Sequence, residues 1–450
     1  PEGVGLAEVE LSGPAELLPA WDLVHIDGVP ARSEDPDGPI TLSWSWRNLQ
    51  SVPEDTPPAP MLQVTPHLVY SNHPDWGDLA VWYERHTAPR IRASKQVEET
   101  AARLTEGVDD RLDRIARIYR FVTTDIRYVG LEFGEHRFRP FSADWVLNHK
   151  FGDCKDKAGL LVALFEAVDI PAQMVMVRTS DLGAAVSDLA LLENFNHAIA
   201  YLPEDDLWLD GTAAGHAPFP PPAMCQGAQV LVVDGIDSAP QITPIPGAGF
   251  ARHNYRLGVA ESGHIPLEIR TEDTGEAADQ RRATFAGSLD PRRVARWLQS
   301  QFPGAELVGE PELRMIPGRD PAMMEISGRV ARSALLSAGG VSAFPGELDW
   351  AARLAPRGAR SGPLLVQVRP VLEWTLEVDL GRSPRELPPS VALDTQFGSL
   401  SLDYEASGNG YVVMGLFQLV PGTVTAANAP QFRQFLVDVE RHLEQPLEIP

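Results

Sequence analysis

The stretch Phe151–Phe165, with the sequence FGDCKDKAGLLVALF, carries the strongest local structural signals in the chain. Its first two residues indicate a turn, and Asp153 is a residue type that caps the first turn of a helix. An apolar run follows and contains no proline before Pro171. Because residues 158–168 are apolar on nearly every face, the pattern predicts a buried central helix rather than a surface amphipathic one. Cys154 falls in the first turn of this helix.

A cysteine in the first turn of a helix has distinctive chemistry. Unpaired backbone N–H groups and the positive end of the helix dipole favour the thiolate over the thiol, and Lys155 and Lys157 add to this if they lie close. The backbone N–H of Cys154 is also left free to hold a developing oxyanion. We therefore interpret Cys154 as a candidate nucleophile.

A thiolate nucleophile needs an acid/base partner, and that partner needs an orienting group. Residues 194–201 alternate polar and apolar side chains like a strand that carries His197. A turn region with proline and aspartates follows, and a second strand ends on Asp210. Adjacent strands after a helix can present both side chains to the helix N-terminus. The arrangement predicts a triad of Cys154, His197 and Asp210.

Several motifs occur in an order that resembles a known family. They are Tyr128–Gly134 (YVGLEFG), Pro140, the block GDCKDK that begins at Gly152, Phe195-Asn196-His197, and Trp208–Thr212 (WLDGT). Together they resemble the bacterial transglutaminase-like superfamily, and more narrowly the branch whose core follows a β-rich domain of the DUF3857 type. The resemblance is specific over about residues 108–234. It implies a papain-like core with Cys154 as nucleophile, His197 as general base and acid, and Asp210 as orienter.

The resemblance implies a reaction class but no particular substrate. The Cys154 thiolate attacks an amide or ester carbonyl of a protein or peptide, and an acyl-thioester forms. Water as the acceptor makes the enzyme a peptidase or amidase, whereas an amine makes it a transglutaminase or acyltransferase. The sequence leaves this choice open, and it leaves open whether Tyr128 or Asn148 supplies a second oxyanion donor. The alternative function is a non-catalytic binding or scaffold protein of the cell envelope that uses the β domains.

The sequence outside the core predicts β-rich regions on both sides. We predict four domains: residues 1–90, the trailing part of a DUF3857-type β-sandwich; 91–247, the transglutaminase-like core; 248–365, an α+β accessory domain; and 366–450, a β-rich domain with a C-terminal helix. The predicted fold class is therefore α+β, a papain-like cysteine core flanked by sandwich-like β domains. Within the core, residues 179–193 are either a lid or a plain surface loop.

Charge and hydropathy exclude several functional classes. The 450 residues include 62 acidic and 38 basic side chains, and the resulting net charge of −24 opposes binding to nucleic-acid phosphates. No apolar run approaches the roughly 20 residues that a membrane helix needs. We expect no membrane span within this chain, and we expect any export signal or anchor to precede Pro1. Relatives of this kind are often exported, so the resemblance implies a periplasmic, extracellular or cell-envelope location.

The cysteines and histidines raise two further alternatives. Cys154 and Cys225 are the two cysteines of the chain, which excludes a disulfide-dense scaffold. We interpret Cys225 mainly as a bystander. His136 and His149 could form a metal site with Cys154, but no cysteine–histidine spacing matches a zinc site. We expect no metal and no cofactor, and the sequence leaves the oligomeric state open.

Overall fold

The structure is a computed structural model that describes residues 3–34, 38–52, 55, 59–130, 133–285, 290–315, 321–337, 340–346, 348–358 and 360–449. The chain divides into two compact units. The first comprises Pro1–Ala214, Met224–Ile245 and Gly358–Leu365, and the second comprises Gly215–Ala223, Pro246–Arg357 and Val366–Pro450. Cys154, His197, Asp210 and Cys225 all belong to the first unit. The residues Leu131 and Glu132 of the YVGLEFG motif lie outside the described residues.

The first unit begins with small antiparallel sheets. Their strands are β1 (Val4–Gly13), β2 (Ala20–Val24), β3 (Ala31–Glu34), β4 (Ile40–Leu49) and β5 (His67–Ser71). Strand β4 pairs with both β1 and β3, and β2 pairs with β5. This region is therefore rich in β structure, whereas a sandwich of the DUF3857 type stays a prediction.

Helix α1 (Trp76–Ile91) corrects the expectation of β structure up to residue 90. It begins because the Asp75 carboxylate accepts a hydrogen bond from the Asp78 backbone N–H at 2.8 Å. Leu79 and Tyr83 are four residues apart, so they share one face of the helix, and both are buried in the same apolar cluster as the central helix. Helix α1 thus packs with the core that the prediction began only at residue 91.

Four further helices complete the helical part of this core. They are α2 (Lys95–Thr105), α3 (Arg111–Asp125), α4 (Ala143–His149) and α5 (Cys154–Glu166). Each begins directly after a side chain that accepts a backbone hydrogen bond, namely Ser94, Asp110, Ser142 and Asp153. Helix α5 is buried from Lys155 to Phe165, which confirms the prediction of a central helix.

The core sheet lies beside α5. The strands are β6 (Arg127–Tyr128), β7 (Phe151–Gly152), β8 (Gln173–Arg178), β9 (His197–Leu202), β10 (Leu207–Leu209), β11 (Gln229–Val232) and β12 (Pro240–Ile242). Five of them form an antiparallel sheet in the order β10-β9-β8-β11-β12. Strands β6 and β7 form a separate short parallel pair directly before α5. As predicted, His197 and the strand that precedes Asp210 are neighbours in one sheet.

The second unit is built on a large mixed sheet. The first strands of the unit are β13 (Phe250–Leu257), β14 (His264–Asp273), β15 (Ala305–Leu307), β16 (Glu312–Arg314), β17 (Ala322–Ala331) and β18 (Val341–Ser342). Strand β19 (Leu364–Val366) lies where the chain passes between the units. The remaining strands are β20 (Val371–Asp379), β21 (Val391–Thr395), β22 (Gly398–Ser407), β23 (Gly410–Leu419), β24 (Gly422–Val424) and β25 (Pro446–Leu447). The main order is β15-β17-β14-β13-β20-β23-β22-β21. Strands β13 and β20 pair in parallel. The domain boundary predicted at residue 365 therefore separates strands that pair within one sheet, since β13 precedes this boundary and β20 follows it.

Helices accompany this sheet in the second unit. They are α6 (Gly275–Phe285), α7 (Pro291–Gln301), α8 (Arg332–Ser337), α9 (Trp350–Leu354) and α10 (Ala429–Leu443). Helix α10 buries Phe432, Phe435, Leu436 and Val439, as expected for the predicted C-terminal helix. Among the described residues, no helix combines the length and the apolar character needed to cross a membrane.

Candidate active site

The start of helix α5 is held by a reciprocal pair of carboxylates. The Asp153 side chain accepts from the Asp156 N–H at 3.4 Å, and the Asp156 side chain accepts from the Asp153 N–H at 3.0 Å. A side chain at Gly152 would collide with this pair, because an added Cβ would lie 2.6 Å from the Asp156 Cβ. The capping box therefore fixes the position of Cys154 at the first residue of the helix.

Cys154 lies half-buried in a cleft of about 330 Å³. The cleft is lined by residues from α1, α5, β8, β9 and two connecting segments, among them Tyr83, Arg137, Cys154, Glu193, Asn196 and His197. In the described part of the chain, the backbone N–H of Cys154 has no hydrogen-bond partner. The nucleophile that the sequence predicts thus faces a space large enough for part of a peptide, with a free backbone donor beside it.

His197 and Asp210 form a hydrogen-bonded pair at the same cleft. His197 is the first residue of β9, and Asp210 directly follows β10, which pairs with β9. The distance from His197 Nε2 to Asp210 Oδ2 is 3.0 Å. Thr212 donates to the other carboxylate oxygen, Oδ1, from its backbone N–H at 2.8 Å and from its hydroxyl at 2.7 Å. The hairpin therefore orients the imidazole through a carboxylate that is itself held in place.

The two side chains shift each other's pKa in opposite directions. Burial acts to lower the pKa of His197, but the charge and hydrogen bond of Asp210, together with hydrogen bonds to the Cys154 and Cys225 thiols, raise it above its ordinary value. Burial acts to raise the pKa of Asp210, and the opposing contacts with His197 and Thr212 hold it below its ordinary value. The site therefore favours an imidazolium next to a carboxylate.

The contact between His197 and Cys154 completes the arrangement. Both side chains line the cleft, and the Cys154 thiol is one of the groups that raise the pKa of His197, while Nε2 of the same ring is engaged with Asp210. The structure thus brings Cys154, His197 and Asp210 together in the order that a proton-transfer chain requires. Their individual catalytic roles stay predictions.

Cys225, which we interpret from the sequence mainly as a bystander, is in contact with this site. Its Sγ lies 3.7 Å from Asp210 Oδ2, and the residue is fully buried. Burial raises the pKa of this thiol to about 11, while the hydrogen bond with His197 acts in the opposite direction. The thiol is therefore protonated at neutral pH and serves as a hydrogen-bond donor to Asp210. A proline-rich segment separates it from Asp210, which hides the contact from sequence patterns.

His197, Asp210 and Cys225 together offer one nitrogen, one oxygen and one sulfur atom that could act as metal ligands. The donor atoms of His197, Asp210 and Cys225 lie within 4.8 Å of one another, a spacing that could hold a metal ion. His136 and His149, by contrast, lie at the two ends of a stack of rings with Phe141 and Trp145. Within the described residues, the alternative metal site of His136 and His149 with Cys154 is therefore not formed.

The two residues that the sequence suggests as a second oxyanion donor, Tyr128 and Asn148, are placed outside the lining of the cleft. The Asn148 amide exchanges hydrogen bonds with the Gln96 amide at 2.9 and 3.3 Å, and the Tyr128 side chain is half-exposed. Neither residue lines the cleft of Cys154. Tyr83 does line it, with only 3% of its surface exposed. Its position on α1, which was expected to be β structure, explains why sequence reasoning missed it.

The Tyr83 hydroxyl is well suited to donate a hydrogen bond. Burial raises its pKa above the ordinary value, and the neighbouring charges of Cys154, Asp153 and Asp156 add to this effect. The group therefore stays protonated at neutral pH. In the part of the chain that the structure describes, the hydroxyl has no hydrogen-bond partner, so it is free to bind an atom that enters the cleft.

The two lysines expected near Cys154 have other partners. Lys155 lines the cleft, but its ammonium group is paired with Asp153 and is buried. Lys157 Nζ donates to the Ile126 carbonyl at 2.7 Å. Burial lowers the pKa of Lys157 to about 8, against the effect of the Asp210 charge. Both lysines thus balance buried aspartates.

The segment 179–193, which the sequence predicts to be a lid or a plain surface loop, is held by hydrogen bonds from the buried side chain of Arg178. The guanidinium of Arg178, 1% exposed, donates to the carbonyls of Leu182, Gly183 and Asn194 at 3.1, 2.8 and 3.1 Å. The last part of the segment then lines the cleft with Leu192 and Glu193. Arg178 thus holds both ends of the segment, and the end near Asn194 contributes to the cleft.

Comparison with known proteins agrees with this geometry. Residues 98–209 match the sequence model Transglut_core, described as Transglutaminase-like superfamily. The chain carries a transglutaminase-like superfamily domain. This match includes Cys154 and His197 and ends one residue before Asp210. Together with the clustered side chains, the domain supports a cysteine-dependent enzyme. The narrower DUF3857 branch stays a prediction.

The solved structures that match this chain include two bacterial proteins. A "putative protease" from Parabacteroides distasonis ATCC 8503 is 14% identical and aligns with a TM-score of 0.58 over 98% of this chain and 71% of that one. A "putative cysteine protease" from Cytophaga hutchinsonii is 13% identical, with a TM-score of 0.22 over 47% of this chain and 66% of that one. No curated protein matches the chain. At this identity, the first similarity shows a shared fold around the transglutaminase-like domain.

Proposed function

We propose that the chain is a thiol-dependent acyl-transfer enzyme that hydrolyses an amide bond of a peptide or protein through an acyl-thioester on Cys154. The observation that carries this proposal is that Cys154 and His197 line one open cleft and that His197 is hydrogen-bonded to Asp210. We propose the cell envelope as its location, as the resemblance implies.

The reaction begins from a thiolate–imidazolium pair, in which the proton of the Cys154 thiol already resides on His197. The thiolate attacks the carbonyl carbon, and the carbonyl oxygen becomes an oxyanion within reach of the free Cys154 N–H and the Tyr83 hydroxyl. The C–N bond then breaks, and the leaving amine takes the proton from His197. An acyl-thioester remains on Cys154.

The second half of the reaction reverses these proton transfers. His197 accepts a proton from the attacking water as its oxygen bonds to the thioester carbon. The resulting tetrahedral intermediate expels the Cys154 thiolate, which recovers its proton from His197. We favour water over an amine as acceptor because Cys154 is only half-buried in an open cleft, where solvent reaches the thioester.

The first test compares the rate at which iodoacetamide alkylates Cys154 in the wild type and in His197→Ala. Peptide mapping separates this label from Cys225. We expect the wild type to react at pH 6 at least tenfold faster than a model thiol, whose pKa is about 8.5, and His197→Ala to remove this advantage. His149→Ala, which changes an exposed histidine outside the cleft, is the matched control. Equal rates in all three proteins would refute the proposal.

The second test identifies the acceptor. After acylation by p-nitrophenyl acetate, mass spectrometry of the mapped peptides locates the acetyl group, and its loss is followed with and without an added primary amine. Hydrolysis predicts an acetyl group on Cys154 that is lost at a rate independent of amine concentration. A loss rate that rises with amine, with amide as the product, would instead support transamidation.

A further inference from the structure

Arg137 occupies a distinctive position at the cleft. It ends the short turn Gly134–Arg137, its side chain is exposed, and it lines the cleft together with Cys154 and His197. Within the described residues, its guanidinium has no hydrogen bond and no ion pair. Several other arginines of the protein are paired with carboxylates, such as Arg111 with Asp205 and Arg281 with Asp273. Because the Arg137 guanidinium is not paired in this way, it is available to bind a ligand at the cleft.

The neighbours of Arg137 fix the backbone that carries it. The His136 ring stacks on Phe141 with ring centroids 3.9 Å apart, and the Phe138 ring packs against Trp82 at 5.1 Å. The Phe141 N–H in turn donates to the Asp156 carboxylate at 2.8 Å, which links this segment to the start of α5. The residues on both sides of Arg137 are therefore anchored, and its guanidinium is presented to the cleft at a small entropic cost.

The other cations of this region are already neutralised. Arg139, two residues further on, pairs with Glu135 at 2.9 Å, and Lys155 pairs with the buried Asp153. The cleft is also lined by Glu193, an exposed carboxylate that would repel an anion. A negatively charged ligand group is thus directed towards the Arg137 side of the cleft.

We propose that Arg137 binds a carboxylate of the substrate, so that the peptide cleaved at Cys154 carries an acidic group next to the bond attacked. The guanidinium fork matches a carboxylate in a bidentate geometry. The carboxylate belongs either to a glutamate or aspartate side chain or to the C-terminus of the peptide. This inference rests on the proposed function in that it assigns the same cleft to the acyl donor.

The first experiment measures how the charge of a small reagent affects its reaction with Cys154. Iodoacetate and iodoacetamide differ in charge but alkylate the same thiol, so the ratio of their rate constants reports the electrostatic attraction at the cleft. We expect Arg137→Gln to lower this ratio about fivefold at low salt, because a cation that lines the same cleft attracts the anionic reagent. Arg139→Gln, which removes a paired arginine from the same segment, is the matched control.

The outcomes separate failure of this inference from failure of the proposed function. If Cys154 reacts rapidly and depends on His197, but its ratio is the same in wild type and Arg137→Gln, the carboxylate site is refuted and the proposed function survives. If Arg139→Gln lowers the ratio as much as Arg137→Gln, the ratio reports the overall charge of the region, and a specific carboxylate site at Arg137 is refuted. If both reagents react no faster than with a model thiol in every protein, the proposed function itself fails.

The second experiment distinguishes the two sources of the carboxylate. Protection of Cys154 from iodoacetamide is measured with N-acetyl-glutamate amide, which has only a side-chain carboxylate, and with N-acetyl-alanine, which has only a terminal one. N-acetyl-alanine amide is the neutral control. We expect one acid to protect the wild type and to lose at least fivefold in apparent affinity in Arg137→Gln. Equal protection by all three compounds, or none by either acid, would overturn the inference.

Discussion

At the scale of single residues, Asp210 shows how a buried carboxylate is kept charged and oriented. It is 1% exposed, and its two oxygens accept hydrogen bonds from the Thr212 N–H, the Thr212 hydroxyl, His197 and Cys225. A buried carboxylate with fewer donors would be costly, since desolvation favours its neutral form. The thiol of Cys225 therefore supports the carboxylate that holds His197, and its burial keeps it away from the cleft in which Cys154 is the proposed nucleophile.

Tyr83 provides the first prediction at this scale. Tyr83→Phe removes one hydroxyl from the cleft and leaves the packing of the ring against the core almost unchanged. We expect kcat for an amide or ester substrate to fall by about 10²-fold, as found when one oxyanion donor is removed, with KM changed less than threefold. Steady-state kinetics on the substrate found in the acylation assay measures both constants.

The matched control for this substitution is Tyr201→Phe. Tyr201 lies on β9 like His197, but its hydroxyl donates to Asp206 at 3.1 Å and is not part of the cleft. We expect its kcat to remain within twofold of the wild type. A Tyr83→Phe enzyme with unchanged kcat would show that the hydroxyl does not contact the oxyanion, whatever the fate of Cys154.

At the scale of elements, the start of α5 combines a helix cap with a buried pair of carboxylates. Burial raises the pKa of Asp156 from 3.8 to about 6, and the charge of Asp153 adds to the shift, while hydrogen bonds from the Asp153 and Phe141 N–H groups and the charge of Lys155 oppose it. The folded protein therefore binds this proton more tightly than the unfolded chain does. The resulting stabilisation is present below about pH 4 and is lost as the pH rises through about 6.

The substitution Asp156→Asn tests this linkage. The amide keeps an oxygen that accepts a backbone N–H, but it cannot titrate. Native-state hydrogen exchange of the α5 amides gives a local free energy of opening between pH 4 and pH 7. Relative to Asp156→Asn, we expect the wild type to lose about 2–3 kcal/mol over this range. Asp125→Asn, at the exposed end of α3, is the control. A wild-type difference that does not change with pH would contradict the assignment.

The elements of the site differ in how far the sequence predicts them. The start of α5 is predictable because its signals are local: a turn at Gly152, a cap at Asp153 and an apolar run. The strands of His197 and Asp210 are predictable because they alternate and are separated by a short turn. For these residues, local sequence patterns predict both the secondary-structure element and the element that packs next to it.

Other parts of the site depend on contacts between distant residues. Tyr83 reaches Cys154 only because α1 packs against α5, and the aromatic residues of α1 gave no helical signal strong enough to predict it. Cys225 reaches Asp210 from beyond a proline-rich segment. In the second unit, the pairing of β13 with β20 joins strands more than 100 residues apart. Such contacts are set by tertiary packing, which local patterns do not encode.

At the scale of the whole molecule, charge is the dominant property. The chain carries 62 acidic against 38 basic side chains, a net charge of −24. Many basic side chains are already used in pairs on the surface, such as Arg111 with Asp205 at 2.8 Å and Arg329 with Glu306 at 2.8 Å. The remaining acidic groups repel one another, and this repulsion destabilises the folded state. Arg137, by contrast, has no ion pair with any residue that the structure describes.

This imbalance predicts that salt stabilises the protein at neutral pH. Raising NaCl from about 10 to 200 mM shortens the Debye length from roughly 30 to below 10 Å, which screens the long-range repulsion. The same salt weakens exposed ion pairs, but each of these contributes only about 0–1 kcal/mol. We therefore expect Tm to rise with NaCl at pH 7, as measured by differential scanning fluorimetry. Near pH 4.8, the isoelectric point of the sequence, the net charge vanishes and the rise should disappear. A Tm that falls with salt at pH 7 would mean that the surface ion pairs outweigh the excess of carboxylates.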